Sequence, residues 1–391
     1  MSDLKNILSK RLVASSTAPP FAAFFAAGLL LIALGCGGGS GGSGTGTGGG
    51  TGGGNNPPPP SFVTVDAPGA GATKGLGTTI QSINAAGDLA GIVTDSNNTA
   101  HSFLRTANGT VTVFDVPGAG TQNSQGSYAE GINASGAIPG YIIDQNLQAH
   151  GFLRTGSGSY TTFDVPRAYS TLARGLNDGG VIAGEYLDTN NIPHGYVRAS
   201  DGTITTFDPS STGSTLPTKV NATGTVVGTY TDSNSVNHGF TRDANGIITS
   251  VDVRGIAPGE YAQTLATDIN GGGLAVGATL KRSAPNHGWN NFVLAGGTYT
   301  LFSPPGALST SASTPVGINA SGAIVGNFTD AAGALHGYLR NPDGSFVILD
   351  DPQASSSAVP PGTVVTSMNA QGAITGYYFD QFNATHGFVR K

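Results

Sequence analysis

The chain has 391 residues, yet only 10% are charged and 62 are Gly, where an ordinary globular chain is about a quarter charged. The net charge of −6 becomes −8 once residues 1–35, with Lys5, Lys10, Arg11 and Asp3, are set aside. No basic stripe remains to neutralise phosphates, so nucleic-acid binding is excluded, and a single cysteine excludes an intrachain disulfide.

Lys5, Lys10 and Arg11 precede an uncharged apolar run, Phe21 to Leu34, which ends in Leu34-Gly35-Cys36. Fourteen residues are too few for a membrane span, which needs roughly 20, and suit the core of an export signal. The segment resembles a bacterial lipoprotein signal, which implies that Cys36 is the lipid attachment site and the mature N-terminus. Ala33 stands where that pattern prefers Leu three places before the cysteine. Plain secretion and a retained anchor are the alternatives. Residues 36–60 then form a Gly/Ser/Thr/Pro linker that cannot bury apolar surface. With about 24 residues it reaches roughly 25–30 Å, enough to hold a folded body off a membrane.

Residues 61–391 are one repeat written seven times. Asn84, Asn133, Asn177, Asn221, Asn270, Asn319 and Asn369 mark the units, with Gly three and seven places later. Seventeen places later stand His101, His150, His194, His238, His287, His336 and His386, which are all the histidines of the chain. Length varies between units only outside this Asn-to-His segment.

Each unit reads as four short strands. In the sixth, Pro315–Asn319, Ala323–Thr329, His336–Arg340 and Ser345–Asp350 are separated by Gly-, Asn- and Asp-rich turns. Four strands in about 44–50 residues is the blade of a propeller. The chain ends on a third strand, His386–Arg390, and the fold starts at Ser61–Pro68, which matches a fourth. The expected fold is therefore all-β: a seven-bladed β-propeller of four-stranded blades, closed by the N-terminal strand completing the last blade. A β-solenoid and other all-β folds are the alternatives.

His150-Gly151-Phe152-Leu153-Arg154, Thr161-Thr162-Phe163-Asp164-Val165-Pro166 and Gly175-Leu176-Asn177 resemble the bacterial extracellular HAF-family repeat. The resemblance covers about residues 61–391 and implies an exported bacterial protein. It carries no reaction.

The histidines are expected to be structural repeat residues rather than metal ligands, because equivalent places on separate blades need not converge on one ion. The aspartate six places earlier could accept from the imidazole or from turn amides. The arginine four places after each histidine is expected to pair with a fourth-strand aspartate (Asp66, Asp115, Asp164, Asp208, Asp252 or Asp350) or to be solvated. Loops such as Asp95-Ser96-Asn97 offer one carboxylate each, too few for calcium. No cofactor or metal is expected.

Function is sought where the repeat breaks. Unit five departs most: Lys281 replaces the turn aspartate, Asn291 the arginine, Trp289 is the only tryptophan, and Arg282 adds charge. Arg174, Glu260 and Tyr261, with Lys74, Arg167, Tyr169 and Arg254, stand in the variable loops between the fourth strand of one unit and the first of the next. The candidate ligand face is thus Trp289, Lys281, Arg282, Arg174, Glu260 and Tyr261. The expected function is a non-catalytic cell-surface or extracellular binding or scaffold protein, outer-membrane or secreted, and monomeric. Its partner would be a glycan, peptide or surface protein, and it would meet the membrane only through the lipid. A glycan-active hydrolase or lyase on the loop face is the second reading, and a structural spacer or adhesin the third.

Overall fold

The computed structural model describes residues 61–253, 261–281, 288–311, 313–358 and 361–391. The signal, Cys36, the linker, Arg254, Glu260, Arg282 and His287 lie outside these. The chain divides into Met1–Ser61 and Phe62–Lys391, and all described strands belong to the second unit.

Phe62–Val65 is β1. The first repeat holds Gly77–Ile83 (β2), Leu89–Thr94 (β3), Ala100–Arg105 (β4) and Val111–Phe114 (β5). The second holds Gly126–Ala129 (β6), Ile138–Ile143 (β7), Ala149–Arg154 (β8) and Tyr160–Phe163 (β9). Ser170–Leu176 (β10), Ile182–Leu187 (β11), Pro193–Arg198 (β12) and Ile204–Phe207 (β13) form the third. The fourth comprises Thr215–Val220 (β14), Val226–Thr231 (β15), Asn237–Arg242 (β16) and Ile248–Val251 (β17). In the fifth come Tyr261–Ile269 (β18), Ala275–Lys281 (β19), Gly288–Ala295 (β20) and Thr298–Phe302 (β21). Thr314–Ile318 (β22), Ile324–Thr329 (β23), Leu335–Arg340 (β24) and Phe346–Leu349 (β25) make the sixth, and Thr363–Met368 (β26), Ile374–Phe379 (β27) and Thr385–Arg390 (β28) the seventh. No helix occurs among the described residues.

Within each repeat consecutive strands pair antiparallel. β28 is followed by no strand of its own, and β1 lies antiparallel beside it, from Phe62 opposite Arg390 to Val65 opposite Gly387. Single parallel bridges, Ala100 to Gly126 and Gly77 to Thr385, join neighbouring sheets.

The core lies between sheets. Ala90 of the first repeat packs with Phe114, Ala129, Ile138 and Phe152, and Val65 and Val389 pack with Ile80, Leu89 and Phe103. The aromatic two places after the histidine is fully buried, as in Phe152 and Tyr196. It lies opposite a second-strand glycine, Gly140 opposite Phe152. A Cβ at Gly140 would collide with the Tyr128 carbonyl oxygen and the Phe152 ring. Gly140→Ala is therefore expected to cost about 3 kcal/mol, the upper end for overpacking, read as a lowered urea midpoint; an unchanged midpoint would show that the sheets yield here.

The marker asparagines do more than close turns. Asn133 Oδ1 accepts from the amides of Ser135 and Ala137, while its Nδ2 donates to the Asn177 carbonyl of the next repeat at 3.2 Å. The same donation runs from Asn84 to Asn133, Asn177 to Asn221, Asn221 to Asn270 and Asn270 to Asn319. It also runs from Asn369 to Asn84 at 3.0 Å, across 285 positions. At Asn319 the acceptor is instead the Met368 sulfur, at 4.0 Å.

Just before the asparagine, six first strands carry a register shift, such as Ala173/Gly175, Pro217/Lys219 and Ala266/Asp268. A bulge re-aims the side chain it carries. Arg174, Lys219 and Asp268, described next, stand at three of these bulges.

Candidate functional site

Two sets of turns lie at opposite ends of the strands. The turns between second and third strands meet the connections from one repeat to the next. Ser124 N donates to Asn98 O, and Asn98 Nδ2 to Asn123 Oδ1. This end is the candidate ligand face. At the other end, Ala107 N of the third turn donates to Asp88 Oδ1 of the first.

The six described histidines are latches within repeats. Nδ1 of His101 donates to Asp115 at 2.9 Å, and the same bond links His150 to Asp164, His194 to Asp208, His238 to Asp252 and His336 to Asp350. His386 donates to Asp66 across 320 positions, which pins β1. The turn aspartate lies 3.4–3.8 Å from Nε2, but its main work is the turn: Asp95 Oδ1 accepts from the amides of Asn97 and Thr99. Although partial burial of Asp95 works against its charge, these donors hold its carboxyl below the usual range. Four imidazoles also stack on a second-strand aromatic, as His194 does on Tyr186.

The expected arginine–aspartate pairing is corrected. Histidine has taken the aspartates. Arg154, Arg198, Arg242 and Arg340 instead lie over Phe114, Phe163, Phe207 and Phe302 of the preceding repeat, at 4.8–5.1 Å. Sequence spacing could not show this, because the partner belongs to the neighbouring sheet.

The fifth repeat is also out of the assumed register. Gly277 pairs with Phe292, as Gly140 does with Phe152, so Phe292 holds the aromatic core place rather than Trp289. Counting from Phe292, Asn290 holds the histidine place, Asn291 the glycine place and Leu294 the arginine place. Asn290 Oδ1 accepts from Ser303, which stands for the latch aspartate, at 3.4 Å. Asn291 is fully buried and donates to Ser313 Oγ and Tyr338 Oη. The hairpin β19–β20 is lengthened until Lys281 opposes Gly288. Trp289 sits on it, buried against Leu265, Ala278 and Leu280.

Arg174 is partly buried. It sits on the β10 bulge and gives Nε and Nη2 to Glu185, the shorter bond at 2.7 Å, and Nη1 to Glu130 of the second repeat at 3.1 Å. Its guanidinium lies 5.5 Å from the Tyr141 ring centre, and Tyr141 stacks on Tyr128 at 4.9 Å. Burial raises the Glu130 carboxyl pKa even though Arg174 opposes it. Burial works against the charged guanidinium, but Glu185 and Glu130 outweigh it and hold the Arg174 pKa above its usual value. Farther round, partly buried Asp268 accepts from Ile318 N of the next repeat, and desolvation raises its pKa against the pull of Lys219.

Nothing in the repeat pattern singles out Glu130, Glu185, Lys219 or Asp268. One signal could have found the cluster: two of the three glutamates of the chain stand at this one spot. Of the candidate residues, Trp289 and Lys281 share the β19–β20 hairpin while Arg174 lies on β10, and the Tyr261 side chain lies outside what is described. Among the described residues, no three His, Cys, Asp or Glu side chains are grouped to hold a metal.

No protein-family model matches the chain, and no curated protein matches it in sequence. Solved structures do match in fold. The β-propeller domain of the Trilobed protease from Pyrococcus furiosus has TM-score 0.54 at 8% identity, over 82% of this chain and 95% of that one. BP39L lectin from Burkholderia pseudomallei gives 0.51 at 10%, over 79% and 93%. A prolyl endopeptidase gives 0.51 at 12%, over 75% of this chain and 45% of that one. At such identities the likeness shows fold alone: all-β, propeller-like, of four-stranded sheets.

Proposed function

We propose that residues 61–391 form a closed ring of seven blades that serves as a non-catalytic binding or scaffold module, exported and held at the cell surface by lipid on Cys36. Closure is supported by three ties between the ends of the chain: β1 against β28, His386 to Asp66, and Asn369 to Asn84. The HAF-type repeat and the lipoprotein-type signal support export.

The observation that carries the binding reading is a division of labour. The strands hold one frame, while the face of second turns and inter-repeat connections collects the departures: the long β19–β20 hairpin, Leu147 with φ +63° and exposed Phe382. The buried carboxylates Glu130 and Glu185 and the partly buried Arg174 satisfy one another and so serve the frame. Rigid strands presenting varied turns are the usual architecture of a recognition surface.

Two measurements test this. The mature chain, presented to arrays of surface glycans and peptides and to chromogenic glycoside and lyase substrates, is expected to bind saturably and turn over none; turnover would overturn the non-catalytic reading. Cys36→Ser is expected to abolish fatty-acid labelling and membrane fractionation, and unchanged labelling would remove the anchor.

A further inference from the structure

On the same face, the second turn of the seventh repeat breaks its own pattern. In repeats one to four the place four before the histidine is Asn97, Asn146, Asn190 and Asn234. Each donates its Nδ2 to the turn aspartate's Oδ2 at 3.2–3.4 Å. The seventh repeat has Phe382. Its backbone amide keeps the bond to Asp380 Oδ1 at 2.8 Å, but its ring cannot donate. Phe382 is 61% exposed, and it is the sole aromatic among the exposed large hydrophobics of the described residues. The sixth repeat closes the same turn with Ala332, whose backbone amide donates to Asp330 Oδ1 at 2.9 Å, so the turn asks for no particular side chain here, and the seventh places a large apolar ring in water.

A backbone hydrogen bond brings the segment that carries a cation to the same seam. Gly75 N, in the connection from β1 to β2, donates to Asn383 O at 3.1 Å. Lys74 and Phe382 therefore each adjoin one end of a single backbone hydrogen bond. Lys74 is exposed, and no ion pair or hydrogen bond engages it among the described residues. The loop is stiff: Leu76 N donates to Thr73 O, and Thr385 N to Leu76 O at 2.8 Å. Thr73 and Gln381, both exposed, add a hydroxyl and an amide at the rim.

We propose that Phe382 and Lys74 form a binding site for an acidic saccharide, at the seam where the first and seventh repeats meet. A pyranose ring has an apolar face that lies flat on an aromatic ring, with hydroxyls at its edge for Thr73 and Gln381. A uronate carboxylate gives the Lys74 ammonium its partner. Recognition by one flat apolar group ringed by directional polar groups is how small-molecule sites gain orientation. The charge of Lys74 selects an anionic sugar over a neutral one, in a body whose net charge otherwise repels anions. The site rests on the binding-module reading and assigns it a ligand class.

The test uses the mature chain with oligogalacturonate and oligoglucuronate as probes and matched neutral oligosaccharides as controls, followed by calorimetric titration. At least one uronate is expected to bind, with the neutral controls weaker. Phe382→Asn, which restores the residue of repeats one to four, is expected to weaken binding about tenfold while holding or raising the melting temperature. Lys74→Gln is expected to weaken it about fivefold at low salt, with the difference shrinking as salt rises. Phe382→Trp is expected to retain binding. Uronate binding that survives Phe382→Asn, or that neutral sugars match, would overturn the site. Binding of a neutral glycan through other loops would overturn it too, yet leave the binding module standing. No binding to any saccharide or peptide presented would remove both.

Discussion

Replacing Arg174 by Ala is expected to destabilise the unit Phe62–Lys391 by about 3–5 kcal/mol, the cost of leaving buried charge without its partner. Arg174 is the cation between two carboxylates, Glu130 and Glu185, whose side chains are 4% and 2% exposed. The effect carries a pH signature. Burial already raises the Glu130 carboxyl above its usual 4.5, and Arg174 is the first influence opposing that rise. Without Arg174 the folded value climbs further. An acid whose folded pKa is raised contributes stability that is fully present below its unfolded pKa and is lost as pH rises through the folded one. The deficit of Arg174→Ala should thus be greatest near neutral pH and shrink as pH falls toward and below 4.5. Urea denaturation at both pH values measures it. A deficit equal at both would show that lost packing on Tyr141, not charge, dominates. Combining Arg174→Met with Glu130→Gln and Glu185→Gln should recover most of the loss, because a neutral cluster leaves no charge stranded.

Deleting residues 61–66 is expected to lower the melting temperature by about 10 °C or more. The deletion removes the ladder from Phe62 to Val65 against β28, and the Asp66 acceptor of His386. It also uncovers the cluster in which Val65 packs with Ile80, Phe103 and Val389. Burying Val65 alone contributes about 1.5–3 kcal/mol, and each ladder bond about 0.5–1.5 kcal/mol. The bared β28 edge would also be free to pair with another chain, so loss of monodispersity should accompany the lower melting temperature. A melting curve that does not move would mean that β1 merely rests on repeats already joined by Asn369, which donates to the Asn84 carbonyl, and by Thr366, whose hydroxyl donates to the Ile80 carbonyl at 2.7 Å. The smaller variant His386→Ala separates the latch from the strand, and should cost only a fraction of the deletion.

The two variants probe features of different legibility. The partnership of β1 with β28 is legible in the amino-acid sequence, because Ser61–Pro68 matches the fourth-strand pattern of the repeat and His386–Arg390 the third-strand pattern. The seven-fold period, the four strands per unit and the turn chemistry are equally plain there. They are local: periodicity two along a strand, and Asn, Asp and Gly at positions whose backbone demands them. The structural role of the histidines follows from their recurrence.

What lies between repeats is not legible in this way. Spacing assigns the arginines to aspartates of their own repeat, yet they cross to Phe114, Phe163, Phe207 and Phe302 of the one before. In the fifth repeat the Asn-to-His count matches by coincidence, because a longer hairpin moves the aromatic place from Trp289 to Phe292. Arg174, expected at a ligand face, lies between two buried glutamates. The physical reason is common to all three. A repeat sequence specifies the hydrogen-bond ladder within one sheet, where neighbours are a few residues apart. Which side chain meets which across sheets depends on bulges and on the angle between packed layers, and only the assembled tertiary structure fixes those. The sequence alone determined the repeat, its strands and its turns; the packed layers decided where each charge went.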